Sequence, residues 1–288
     1  MADYNESNNE LAEKVYICSK EKVLVVDDND AELFSTPEPS SADEFFDVLR
    51  NDGYCVEVWD EKAQGVPGGS GLNDFEVVVW SAGDYFNGTI SYEDELAIGN
   101  YSGGLLVEGS DVGLDKSDSD FLQKLAAAVF SSDILLNESQ NESLVLKNHS
   151  ITANISNISI SKEKSPYPDS REIVDAEVVA EWQNGKAAIT AKTVPAIAII
   201  DLQSPYKTAY YAFSVDGVTE AAVMEKLVLN TVEWLLEKPN NPPSISNVTS
   251  TVGAEGTVEP AAVKITMNEG QTKSLSVLAT DPDNDTLT

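Results

Sequence analysis

The stretch Lys22-Val-Leu-Val-Val-Asp-Asp-Asn-Asp30 decides the fold, because four β-forming residues are followed directly by acidic and amide side chains. A strand buried on both faces reads in this way when its carboxyl end opens into a loop. Residues 41–50 then place Phe45 and Leu49 at helical spacing, and a second apolar stretch follows at 54–59. Strand, helix and strand in this order form a right-handed crossover, which predicts a mainly parallel, doubly wound α/β sheet.

The rest of the chain continues this pattern and then departs from it. After residue 131 short alternating stretches meet at Asn184-Gly185, a strong hairpin signal, so we expect an antiparallel excursion before the sheet closes. The further predicted strands lie at 74–80, 103–108, 196–200 and 208–213, and the further predicted helices at 92–98, 118–130 and 219–237.

Four segments are predicted from these signals. Residues 1–20 form an N-terminal extension and 21–238 the α/β domain, followed by a proline-rich linker at 239–243. Residues 244–288 alternate as an all-β segment, and they are too few for the seven or so strands of a sandwich. We therefore expect only part of an Ig-like module there.

Composition excludes several classes of partner. Lys and Arg total 18 against 49 Asp and Glu, for a formal charge of -31. Such a surface repels phosphates and anionic lipids, so we expect no nucleic acid partner. No apolar run approaches the roughly 20 residues of a membrane span, so we expect no direct membrane insertion. The N-terminal residues lack the features of a signal peptide, so we expect any export signal to lie outside this chain.

Asn-x-Ser/Thr sequons are more frequent than composition predicts. The 20 Asn and 45 Ser and Thr would give about three by chance, and the sequence has ten. A polar, Asn-rich surface is the alternative explanation, but the excess favours export with N-glycosylation to the cell exterior or envelope. The ten sequons begin at Asn5, Asn87, Asn100, Asn137, Asn141, Asn148, Asn154, Asn157, Asn247 and Asn284.

The two cysteines fit an oxidising compartment. Cys18 precedes the first predicted strand and Cys55 begins the second, so both lie at the same end of neighbouring parallel strands. A disulfide between them is geometrically feasible, and two unrelated buried thiols are the alternative.

The order of elements over residues 22–237 resembles the class I glutamine amidotransferase-like (flavodoxin-like) fold, in the degenerate versions found in secreted and surface proteins. The residues after the linker are similar to the start of a cadherin-like or Ig-like module. The motifs that carry the first resemblance are Val25-Val-Asp-Asp-Asn29, Phe75-Glu-Val-Val-Val-Trp-Ser-Ala-Gly83, Gly103-Gly-Leu-Leu-Val-Glu-Gly-Ser-Asp111, Asn148-His-Ser-Ile-Thr152 and Glu233-Trp-Leu-Leu236.

The resemblance implies a degenerate catalytic site. Catalytic members have a Cys nucleophile in a Gly-x-Cys-x-Gly elbow and a late Phe-His-Pro-Glu motif. Here the elbow is Gly109, Ser110, Asp111, Val112 and Gly113, with Asp111 in the nucleophile position. The late motif is Phe213-Ser-Val-Asp216 and contains no His. We therefore expect no catalytic residues of this type.

Two further residues have simpler roles in this interpretation. His149, the single histidine, is expected in a turn or in the core, away from the elbow. Ser110 is expected to cap the helix that follows the fourth strand.

Acidic residues at loop ends are the candidate cation ligands. Asp27 and Asp28 lie at the end of the first strand, at the edge where doubly wound sheets bind ligands. We expect them either to bind Ca²⁺ or to cap and solvate the loop. Asp281, Asp283 and Asp285 alternate in an acidic loop that either binds Ca²⁺ or forms a β-turn. No other cofactor is expected.

The sequence thus favours a non-catalytic extracellular or cell-envelope protein of the surface-layer type, with other surface-protein modules or copies of itself as partners. The alternatives are a hydrolase, or a sugar- or peptide-binding module, that uses the acidic edge around Asp111.

Overall fold

The computed structural model describes residues 18–29, 40–83, 89–134, 141–161, 163–165, 168–193, 207–237, 244–250 and 275–280. The chain divides into two compact units, Met1–Glu237 and Lys238–Thr288, which are described separately below.

Unit 1 alternates strands with helices and then becomes mainly β. Its helices are α1 (Ser41–Asn51), α2 (Glu61–Gln64), α3 (Gly69–Leu72), α4 (Tyr92–Gly99), α5 (Val112–Asp115), α6 (Phe121–Ala126) and α7 (Ala221–Leu236). Its strands are β1 (Lys22–Asp27), β2 (Cys55–Asp60), β3 (Val77–Ser81), β4 (Gly104–Glu108), β5 (Ala128–Asp133), β6 (Glu142–Ser143), β7 (Val145–Leu146), β8 (Ser159–Ile160), β9 (Asp169–Ile173), β10 (Glu177–Glu181), β11 (Ala187–Thr193) and β12 (Lys207–Tyr211).

One large sheet organises the unit, in the order β2-β1-β3-β4-β12-β11-β10-β7. The first five strands in this order are parallel, and β11, β10 and β7 continue it in antiparallel pairing. Strand β9 pairs with β11 and also with β5. The structure is therefore a mixed α/β fold with a mostly parallel central sheet, and β1 lies in its interior as the sequence predicts.

Both faces of strands β1, β3 and β4 are covered, which explains their uninterrupted apolar runs, whereas the edge strand β2 is partly exposed. Along β1, Val23 and Val25 belong to one hydrophobic cluster, and Leu24 and Val26 belong to another. Helices α1 and α7 contribute to the first cluster, and α3, α4 and α6 to the second. A strand between two such layers has no solvent face and needs no polar alternation.

The predicted helix over residues 118–130 is wrong in its second half. Helix α6 ends at Ala126, Ala127 adopts the left-handed region with φ of 46°, and the chain continues as β5. Val129, which lies within the predicted helix, is 36% exposed on this strand. Pairing of β5 with β9 outweighs the helix propensity of the three consecutive alanines. The predicted strand at 196–200 lies outside the described residues.

In unit 2 the described residues form two strands, β13 (Ser244–Ser250) and β14 (Leu275–Thr280), paired antiparallel. These two strands do not support the expected Ig-like segment. The predicted strand at 262–267 lies outside the described part of the unit. Across the described residues of the chain, no helix combines the length and apolar character needed to cross a bilayer.

Candidate functional site

The turn after β4 is the elbow predicted from the sequence, and packing explains both of its glycines. A Cβ on Gly109 would lie 2.8 Å from Cγ2 of Val112, and a Cβ on Gly113 would overlap the guanidinium of Arg171. The N-cap residue of α5 is Asp111 and not Ser110 as predicted, and Oγ of Ser110 lies 2.8 Å from Oγ of Ser165. The glycine spacing therefore serves close packing in this chain.

Asp111, the residue in the nucleophile position, lies beneath the antiparallel strands. It is 2% exposed, and it forms a group with Asp133 of β5 and Asp169 of β9, with one carboxylate oxygen from each within 4.8 Å of the others. Burial, together with the smaller effect of the negative charge of Asp133, raises the pKa of Asp111 to about 7. The elbow is thus filled by other side chains.

A buried polar network holds Asp169 in place. The backbone N–H of Gly113 donates to its Oδ2 at 2.7 Å, and Nη2 of Arg171 donates to the same oxygen at 3.2 Å. Arg171 also hydrogen-bonds the hydroxyl of Tyr210, with its guanidinium carbon 4.6 Å from the centre of that ring. Trp182 donates to the backbone oxygen of Asp169 at 2.7 Å. Burial raises the pKa of Asp169 to about 8, although the Arg171 charge opposes this.

Glu108, the last residue of β4, is a second buried acid at this edge of the sheet. It is 0% exposed, and its oxygens accept hydrogen bonds from Oγ of Ser81 at 2.5 Å and from the N–H of Val215 at 3.1 Å. Ser81 lies in turn 3.0 Å from Oγ of Ser41. Burial raises the pKa of Glu108 to about 7, and these hydrogen bonds only partly offset the effect.

The acidic residues predicted at the end of β1 separate. Asp28 accepts a hydrogen bond from Nε1 of Trp80 at 2.8 Å and groups with Glu61 and Asp94, with one oxygen from each within 4.8 Å. Asp27 faces Ser40 instead, at 3.5 Å, and burial raises its pKa. The structure therefore brings Asp28, but not Asp27, into an acidic cluster.

His149 and the elbow lie at opposite ends of the parallel strands. Its Nδ1 accepts a hydrogen bond from Ile151 N, and its ring packs edge-on against Trp234 with centroids 5.3 Å apart. Lys207 lies over the same Trp234 ring and pairs with Gly104, the first residue of β4. Asp111 follows the other end of β4, about 13 Å along the strand at roughly 3.3 Å per residue. Burial lowers the pKa of His149, which serves as a turn residue and gives Asp111 no base.

The predicted modification sites are distributed as follows. Cys18 and Cys55 form a disulfide with Cα atoms 5.0 Å apart. The sequon asparagines whose side chains the structure describes, which are Asn100, Asn141, Asn148, Asn154 and Asn157, are all exposed. The side chains of Asn5, Asn87, Asn137, Asn247 and Asn284 and the acidic residues Asp281, Asp283 and Asp285 lie outside the described part of the structure.

The sequence did not single out Asp133, Asp169 or Arg171. One signal was available, since Asp169-Ser-Arg171 places an acid and one of only two arginines on the same side of a strand. Asp111 precedes Asp169 by 58 residues in the chain, so their proximity depends on the antiparallel topology.

No protein-family model and no curated protein sequence matches this chain. Solved structures similar to it include a beta-galactosidase from Bacillus circulans sp. alkalophilus, with 14% identity and a TM-score of 0.49 over 80% of this chain and 34% of that one. Gan42B, a GH42 beta-galactosidase, has 12% identity and a TM-score of 0.49 over 81% of this chain and 32% of that one. A putative ThuA-like protein from Parabacteroides merdae has 10% identity and a TM-score of 0.48 over 76% of this chain and 91% of that one.

This chain spans about a third of the length of the two galactosidases. At these TM-scores the likenesses carry no argument about activity.

The resemblance to class I glutamine amidotransferases, and that of the tail to cadherin-like or Ig-like modules, is wrong. The similar structures are titled beta-galactosidases and a ThuA-like protein. The physical reason is that the motifs behind the resemblance are buried strands with polar loop ends, which unrelated doubly wound proteins share. The elbow glycines are explained by packing against Val112 and Arg171.

Proposed function

We propose that this chain is a non-catalytic structural or interaction part of an extracellular or cell-envelope glycoprotein, of the surface-layer type. The observation that carries the proposal is the filled edge at the elbow, where Glu108, Ser110 and Asp111 are each 2% exposed or less. A nucleophile needs room for a substrate and a base to activate it. Asp111 lacks this room, because it is 2% exposed and packs against the carboxylates of Asp133 and Asp169, and the single imidazole lies at the other end of β4.

An exterior location is supported by two independent features. The disulfide between Cys18 and Cys55 fits an oxidising compartment. The five exposed sequon asparagines are accessible to a glycosyltransferase, and four of them lie in residues 141–157. In this setting the net charge of -31 serves solubility in a cation-rich medium, and the partners are other surface-protein modules or copies of this chain.

A hydrolysis assay tests the absence of catalysis. The purified chain should turn over chromogenic glycoside, ester and amide substrates at the background rate, with and without chelator, because the elbow admits no substrate. The opposite result is turnover that is lost in Asp111→Asn and kept in the exposed control Asp118→Asn. It would establish the hydrolase alternative and contradict this proposal.

Glycan mapping tests the exterior location. When the chain is secreted from an N-glycosylating host, we expect glycans on Asn141, Asn148 and at least one of Asn154 and Asn157, read by mass spectrometry after enzymatic release. The exposed Asn184 is outside any sequon and should remain unmodified. Unmodified asparagines throughout residues 141–157 would contradict the prediction.

A further inference from the structure

Two aspartates lie directly opposite each other on neighbouring strands. In the antiparallel pairing of β5 with β9, Asp133 is the register partner of Asp169. Like charges in this position destabilise a strand pair. Asp111 adds a third carboxylate from the elbow, and both Asp111 and Asp169 are at most 2% exposed. The fold therefore concentrates negative charge where water cannot screen it.

Each of the three carboxylates has a buried oxygen without a hydrogen-bond partner among the described residues, namely Oδ2 of Asp111, Oδ1 of Asp133 and Oδ1 of Asp169. The donors nearby do not reach them all. The N–H of Gly113 and Nη2 of Arg171 both bond Oδ2 of Asp169, which leaves its Oδ1 unsatisfied. Buried polar atoms are almost always paired, so three such oxygens in one place indicate a ligand.

The charge of the cluster indicates the charge of that ligand. Three carboxylates beside one guanidinium leave two negative charges uncompensated when all four groups are ionised. One divalent cation would balance them. The guanidinium of Arg171 stacks on Tyr210 and bonds the other oxygen of Asp169 through Nη2. Its Nε and Nη1 have no hydrogen-bond partner among the described residues, so they do not bond the unsatisfied oxygens either.

The ligand atoms define the class of cation. All three residues offer oxygen, which hard cations prefer over the nitrogen and sulfur donors that suit zinc. One oxygen from each residue lies within 4.8 Å of the others. At that upper limit the point equidistant from the three oxygens lies about 2.8 Å from each, so side-chain shifts of a few tenths of an ångström bring all three within the 2.3–2.6 Å of a Ca²⁺–O bond, and water can complete the 6 to 8 ligands.

We propose that Asp111, Asp133 and Asp169 bind one Ca²⁺. The ion joins three elements that are distant in the sequence, the elbow after β4 and the strands β5 and β9, and so fastens the antiparallel excursion to the parallel sheet. Its role is structural and requires no reaction at the elbow.

The test uses the full chain after chelator treatment. Calcium chloride should raise Tm by about 3 °C or more at tenfold excess over Kd, and further with the logarithm of its concentration, because Ca²⁺ binds only the folded site. Isothermal titration should show Asp133→Asn and Asp111→Asn weakening this site at least about 10-fold, since each removes a charged ligand. Asp133 is only half-buried, so its variant is the one expected to fold with least disturbance.

Two control variants separate this site from the other acidic candidates. Glu61→Gln alters the cluster around Asp28, and the combined Asp281→Asn, Asp283→Asn and Asp285→Asn variant alters the tail. Both should retain the calcium-dependent rise in Tm. The proposal is overturned if the unmodified chain shows no such rise, or if the rise persists unchanged in Asp133→Asn and Asp111→Asn.

Discussion

Replacement of both Cys18 and Cys55 by Ser should lower the free energy of unfolding by about 4 kcal/mol. The disulfide closes a loop between residues 37 apart, and the chain-entropy relation gives about this value for a loop of that length. The effect arises mainly in the unfolded chain, which gains freedom when the bridge is removed.

The folded structure around the bridge has other contacts that should survive its loss. The N–H groups of Ser19 and Lys20 donate to the carbonyl of Gly53, and the N–H of Cys55 donates to the carbonyl of Glu21. These bonds hold the segment before β1 against the start of β2. The variant should therefore unfold as one cooperative unit with lower stability.

Urea unfolding of the double variant and of the unmodified chain, each with and without reductant, measures this effect. Reductant should bring the unmodified chain to the stability of the variant and leave the variant unchanged. A loss of less than about 1 kcal/mol would show that the disulfide contributes little to this fold.

The sequence was most informative for strands that are buried on both faces. Strands β1, β3 and β4 were recognisable because each is covered on both faces and is accordingly apolar along its length. The prediction is wrong for the segment after Ala126, because a short apolar run fits a helix or a buried strand equally well. Only pairing with β9 decides it, and that strand begins 41 residues after the start of β5.

The site shows the same limit. Asp111 could be singled out because it ends a recognisable strand, whereas Asp133 and Asp169 belong to short strands with weak alternation. What makes the three carboxylates a cluster is the register between β5 and β9 and the position of the elbow beneath them. Register depends on packing over the whole unit, so the sequence of any one segment does not contain it.

Glu108→Gln should make the protein more stable above neutral pH by about 3 kcal/mol relative to the unmodified chain. Burial raises the pKa of Glu108 to about 7, from an ordinary value of 4.5. The folded state therefore favours the protonated carboxyl. The resulting contribution to stability is fully present below pH 4.5 and is lost as the pH rises through 7. The difference between the two pKa values corresponds to about 3 kcal/mol.

Glutamine reproduces the protonated acid without its charge. Its amide oxygen can accept the hydrogen bond from the N–H of Val215, and its amide nitrogen can donate to Oγ of Ser81, which the protonated carboxyl would also do. Because Oγ of Ser81 both donates and accepts, it can reorient toward Ser41 at no loss of partners.

The measurement is the free energy of unfolding of both proteins between pH 4.5 and 8.5. Other buried acids, including Asp169, titrate in the same range, so the difference between variant and unmodified chain is the informative quantity. That difference should grow by about 3 kcal/mol in favour of Glu108→Gln as the pH rises, whereas the exposed control Asp118→Asn should show no such trend. A difference that stays constant with pH would mean that Glu108 is charged in the folded protein, held by its hydrogen bonds from Ser81 and Val215.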